Sequence, residues 1–162
     1  MGIYMKFGTP PIKGDATQKG YEGWINLHHF DWGLERKFAQ NQTGRAFNRE
    51  AAQAEMRECK VKKAADSSSG VLLQTATTQF KGQPCEIAFV RTGNPGDWYL
   101  KFKLTDALIA NLDIGLQGGE RPVETITLNF TEVEIHTKTL NESNDGEDPL
   151  MISYDAATGE GS

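Results

Sequence analysis

Two of the chain's three histidines stand side by side in "WINLHHFDWG", Trp24 to Gly33, and Asp31 lies two places beyond His29. Imidazole and carboxylate at one address are what a metal site or an acid–base pair is made from. A strand reading limits both. Adjacent strand residues point to opposite faces, so His28 and His29 do not converge on one ion. His29 and Asp31 share a face about 6–7 Å apart, which makes at most a weak dyad. An H-x-H pair, which would put two imidazoles on one face, is absent, and His136 stands alone in a later strand. Cys59 and Cys85 sit in no recognisable catalytic setting. There is no G-x-S-x-G, and the glycines of "GLQGGE" do not open a helix with Lys and Ser/Thr as a phosphate loop does. The acidic pairs in "EVE" and "GED" are what any acidic chain carries. No catalytic residue, metal or cofactor is expected.

The elements that would position these residues are mostly strands. "IYMKF" alternates as a short strand, and residues 8–23, dense in Gly, Pro, Thr and Asp, read as a long loop. "WINLHHFDWG" is a strand ending at Gly33. Residues 34–50 read as an extended basic loop, with Arg36, Lys37, Arg45 and Arg49 against Glu35 and Glu50. Propensity favours a helix at 49–58, although "CKVKK" alternates like a strand. "DSSSGVLLQTATTQF" reads as a helix capped by Asp66, Ser67 or Ser68, with Leu72, Leu73, Ala76 and Phe80 on one face.

After "CEIAFVRT", the stretch "WYLKFKLTDALIANLDIG" alternates until its phase breaks beyond Asp106, which predicts a bulge. "VETITLNFTEVEIHTKT" changes parity near Phe130–Glu132. About 16 residues in one strand span over ~50 Å, so such strands must coil, and closing into a barrel removes their edges. The pattern predicts a mainly β fold, a β-barrel with one short α-helix.

The 162 residues suit one domain. No apolar run approaches the roughly 18 residues of a membrane span, and the N-terminus is too polar for a cleaved signal peptide, so reduced cysteines are expected. The net charge is −5, but residues 141–162 alone carry −6, leaving +1 for residues 1–140. A near-neutral body gives no electrostatic footprint for nucleic acid. The acidic tail reads as a solvated, partly mobile end.

Four stretches, in order, resemble the hemolysin-coregulated protein (Hcp) family, the tube subunit of type VI secretion. "MKF…IKGDATQKGYEGWINLHHFDWG" is similar to its opening strand, K/D-G-E-S loop and strand ending aromatic-x-W-G. "CKVKKAADSSSGVLLQTATTQFKG" is similar to T-K-x-x-D-x-A-S-P-x-L and the helix behind it. "WYLKFKLTDALIANLDIG" and "GGERPVETITLNFTEVEIHTKT" are similar to the family's Y-x-x-I-x-L-x-x-V-x-V-S-S and P-x-E-x-x-x-L-N-F strands. Gly14-Asp15-Ala16 replaces the usual G-E-S, Ser68-Ser69-Gly70 stands where A-S-P is common, and residues 34–53 and the tail match poorly.

The resemblance implies a barrel of one domain, 1–162, assembled as a homohexameric ring. Rings stack into an inner tube that is expelled from the bacterial cytoplasm without a signal peptide. The implied partners are other copies of the chain, small effector proteins in the lumen, and the machine's sheath and spike or baseplate; neither nucleic acid nor membrane insertion is implied. It favours strand over residues 54–63, against propensity. By alignment Asp31, and with it His29, would face the lumen, leaving His28, Phe30 and Trp32 toward the core or a neighbour. Ile25 and Leu27, however, share the parity of His29. The basic loop, Arg36, Lys37, Arg45 and Arg49, would reach the next ring, and Val71, Leu72 and Gln79 would serve the in-ring contact. A phage-type tail tube and a monomeric lipocalin-like binder are the rival readings, and an enzyme using His29 and Asp31 is a third.

Overall fold

The computed structural model describes residues 1–40, 49–51, 54–93, 97–116, 118–138, 150–155 and 160–161. Its strands are β1 (Gly2–Phe7), β2 (Ile25–Leu27), β3 (His29–Asp31), β4 (Leu34–Glu35), β5 (Phe38–Gln40), β6 (Arg49–Ala51), β7 (Glu55–Met56) and β8 (Cys59–Ala64). The helix α1 (Ser69–Thr78) follows, then β9 (Gln83–Val90), β10 (Trp98–Gly115), β11 (Val123–Asn129), β12 (Glu132–Thr137), β13 (Leu150–Asp155) and β14 (Glu160–Gly161).

The pairing is antiparallel and runs in a circuit. β1 lies between β2 and β9, β9 pairs with the first half of β10, β10 with β11, β11 with β8, and β8 with β3. The circuit closes because β2 and β3 are one segment handed from β1 to β8 at His28, whose N–H donates to the Lys62 carbonyl at 2.8 Å. The barrel therefore stands as the sequence predicts, with one helix among the described residues.

The hand-over resolves the parity conflict. Ile25 and Leu27 are buried, the bend at His28 shifts the phase by one, and then Phe30 and Trp32 pack inward while His29 and Asp31 are exposed. A second shift lies where the alternation breaks. Asp106 adopts φ 52°, and the register of β10 against β9 slips between Leu104 and Ala107. A side chain at Gly82 would collide with the Asp106 backbone, so glycine there admits the bulge. β11 and β12 run along the same side of β10, broken at Phe130–Thr131, where the Thr131 N–H donates to the Thr105 carbonyl at 3.1 Å. Both long strands thus kink at one corner.

The loop 8–24 folds over the outside of β1, where Tyr21 stacks on Tyr4 at 5.3 Å and meets the Trp24 edge at 5.0 Å. One ambiguity is decided, in favour of the strand expected over 54–63, and two expectations change. The helix propensity at 49–58 yields to strands, because pairing supplies backbone partners that propensity cannot see. The basic loop is an arm of paired strands, β4 with β7 and β5 with β6. The acidic tail is not wholly a solvated end, since β13 pairs with β12 and β14 with β13. No helix among the described residues is long and apolar enough to cross a membrane.

Candidate functional site

The outward face of β3, β8, β11 and the far half of β10 is a polar sheet surface. Directly opposed residues share a face, so the register gives two rows. One is His29, Lys62, Thr125 and Asp113; the other is Asp31, Lys60, Thr127 and Asn111. Both threonines are covered at least in part, and the other six are exposed. Asp31 opposes Lys60 across the strands, whereas His29 opposes Lys62, so a charged imidazole would sit beside a cation. The inward residues of β3 explain the orientation: Phe30 packs on Phe102 at 4.7 Å, and Trp32 meets the same ring at 5.8 Å. His28 is not a core residue; it is exposed, beside a hollow of about 120 Å³ that also touches Asp15, Asp66 and Arg121. Among the described residues no three His, Cys, Asp or Glu side chains are grouped to hold a metal ion.

The barrel's other wall carries a different pattern. Lys6, Glu86, Lys103 and Glu134 lie opposite one another across β1, β9, β10 and β12, alternating in sign. They border a hollow of about 530 Å³.

Under the polar face lies a buried ionic clip. On β8 the inward positions are Cys59, Val61 and Lys63, and on β11 they include Glu124, Ile126 and Leu128. A lysine and a glutamate are thereby driven inside, and each is at most 1% exposed. The Lys63 ammonium donates to Glu124 Oε2, to the Ala64 carbonyl at 3.0 Å and to Ser69 Oγ at 3.3 Å, and it forms an ion pair with Asp66 Oδ1 at 2.8 Å. Among the described residues Glu124 Oε1 has no hydrogen-bond partner. Asp66 also accepts from the Ser68 N–H at 2.9 Å, and Asp15 accepts from both Ser67 groups. Ser68 is the N-cap, but its side chain makes no capping bond, so the carboxylate of Asp66 organises the helix entry instead. The sequence reading missed this clip. Its signal was present: Lys63 shares parity with Val61, and Glu124 with Ile126 and Leu128.

The arm carries the basic candidates unevenly. Arg36 and Lys37 are exposed, and Lys37 lies 3.9 Å from Glu55. Arg49 begins β6, but its side chain, like all of Arg45, lies outside the described residues. At the arm's root the Arg57 N–H donates to the Gly33 carbonyl at 2.9 Å, and a side chain at Gly33 would collide with the Arg57 guanidinium.

The helix corrects one candidate. Leu72 is fully buried in its own subunit, which removes it from any contact with a neighbour. Leu73 and Phe80, expected inward with Leu72, are 49% and 93% exposed, because the helix rests on β10 through one narrow line. Val71 and Gln79 are exposed, and Gln79 borders a groove between the helix and β10.

The family described as "Type VI secretion system effector, Hcp" matches residues 4–136. No curated protein matches the sequence. Among solved structures, one described as a type six secretion system protein superposes with TM-score 0.85 at 20% identity, over 99% of each chain. Hcp1 from Salmonella typhimurium gives TM-score 0.73 at 16% identity, also over 99% of each chain. A type VI secretion system effector from Yersinia pestis gives 0.70 at 17% identity, over 94% of this chain and 98% of the other. At these identities the likeness carries the fold, and the family match carries the membership.

Proposed function

Because the chain belongs to the Hcp family and is a tube protein of type VI secretion, we propose that six copies close into a ring with the β3–β8–β11–β10 face lining the lumen. One observation carries this reading. Among the described residues, that sheet ends in two different open edges: β3 pairs only with β8, and β10 beyond Ala107 pairs only with β11. Open edges seek a partner. Two unlike edges meeting make a heterologous contact, which closes by rotation. The exposed apolar residues Val71, Leu73 and Phe80 of the helix region and Ile114 of β10 supply surface that water does not favour.

In that ring Asp31 and His29 look into the pore beside Lys60 and Lys62, and the lumen holds small effectors through a surface of both signs. The arm, with Arg36 and Lys37 exposed and Arg45 and Arg49 in its span, reaches the next ring. The sheath and spike of the machine are the remaining partners, and the route is from cytoplasm to target through the machine. The family is structural, and the chain acts as scaffold and carrier rather than enzyme.

The test is native mass spectrometry with negative-stain imaging at micromolar concentration. A species of six 17.9 kDa subunits, seen as rings, is expected. A monomer under those conditions refutes the ring.

A further inference from the structure

The arm leaves the barrel by two legs, Trp32–Gly33 on one side and Glu55–Arg57 on the other. Trp32 and Met56 each pack one leg against the barrel core. A third tie comes from a distant part of the chain: the Tyr154 hydroxyl on β13 donates to the Ala54 carbonyl at 2.9 Å. That carbonyl lies immediately before β7, at the leg's upper end. Tyr154 is itself held firmly. It opposes the buried Val133 across β12–β13, its side chain packs against the barrel core, and Gly161 of β14 pairs with it on the other side. The family match ends at residue 136, so the tie comes from a strand pair beyond the matched region.

We propose that Tyr154 is a positioning residue for the arm, through which the C-terminal strand pair β13–β14 latches the arm's root to the barrel. A hairpin joined to a barrel only by two legs can swing about them. A hydrogen bond from a rigidly packed ring to one leg's backbone removes that freedom. The pairing of Leu34 with Met56 and of Glu35 with Glu55 then holds the root at one angle. The consequence for assembly rests on the reading of the arm as the element that meets the next ring. A firmly latched arm presents its basic residues at a fixed height, and an unlatched one pays ordering entropy on each stacking event.

Tyr154→Phe keeps the packed ring and deletes only the hydroxyl. Hydrogen exchange on the intact chain reports the latch separately from stacking. Exchange at the amides of Glu55, Met56 and Arg57 is expected to quicken about five- to tenfold, the equivalent of one net hydrogen bond. Amides of β9, far from the arm, serve as the control and should not change. Tyr154→Leu, which retains apolar packing, should give the same pattern. Unchanged exchange at the root in both variants overturns the latch. Sedimentation of stacked rings is measured on the same samples. Faster exchange with weaker stacking supports latch and arm together; faster exchange with unaltered stacking supports the latch and refutes the arm as the stacking element.

Discussion

Replacing Lys63 by Met tests whether the buried clip holds the barrel to its helix. The ammonium is fully buried and serves two carboxylates, a hydroxyl and a carbonyl. Methionine fills a similar volume, so the cavity contribution is small and the loss is electrostatic. Breaking a buried ion pair from one side costs roughly 3–5 kcal/mol, because the other charge stays desolvated. Urea unfolding at fixed protomer concentration should therefore show a deficit of about 3–5 kcal/mol at pH 7. Adding Glu124→Leu to the variant should recover most of the loss, since apolar replacement of a whole buried pair is close to neutral. A deficit under about 1 kcal/mol at pH 7 refutes the clip as a structural tie.

Two further outcomes follow from the same interior. Burial alone would push the Asp66 carboxyl up, but hydrogen bonds from Lys63 and Ser68 outweigh it and hold the pKa below its ordinary 3.8. Its contribution is complete above that value and is lost as pH falls through the lower, folded one. Asp66→Asn should therefore be less stable at neutral pH and converge on wild type in an acid titration followed by circular dichroism, and a constant gap into strong acid contradicts this. Burial, with a smaller push from Asp31, raises the Cys59 thiol to about 12, and burial likewise lifts Cys85 well above its ordinary range. Neither should react with iodoacetamide in the native protein at about pH 8, and both should react once unfolded; native labelling at either would show that the core opens.

Legibility in the sequence depended on whether local pattern or distant pairing decided an element. The barrel was readable because β10 and β11–β12 are long and alternate, and their kinks betray themselves as parity breaks at Asp106 and near Phe130. The helix was readable, but its buried face was not. Period alone placed Leu73 and Phe80 inward, whereas a helix resting on one strand buries only Leu72. The phase change at His28 was invisible, because nothing in "NLHHF" marks the point where a strand leaves one partner for another. The stretch 49–58 misled for the opposite reason: Ala, Gln, Glu, Met and Arg prefer helix in isolation, and only the pairing of β6 with β5 and β7 with β4 overrides them. Tyr154 lay in a segment judged by its charge, and charge says nothing about a tyrosine.

Strand β8 shows how one short segment separates stability from surface chemistry. It carries three lysines in five residues, Lys60, Lys62 and Lys63. Alternation sends the first two to the outward face beside Asp31 and His29, and the third into the clip with Glu124. The outward pair sits in water, where an ion pair contributes about 0–1 kcal/mol, so changing it alters the charge of the face at little cost to the fold. The inward one has no such freedom, because its partner carboxylate cannot be left alone. The same rule covers β3, where Phe30 and Trp32 fix the strand and His29 and Asp31 are spare. A tube subunit built this way can change the charge of its outward face without re-solving how its barrel holds together. The one-residue shift at His28 is what makes the separation possible. Without it, the parity that buries Ile25 and Leu27 would bury His29 and Asp31 as well.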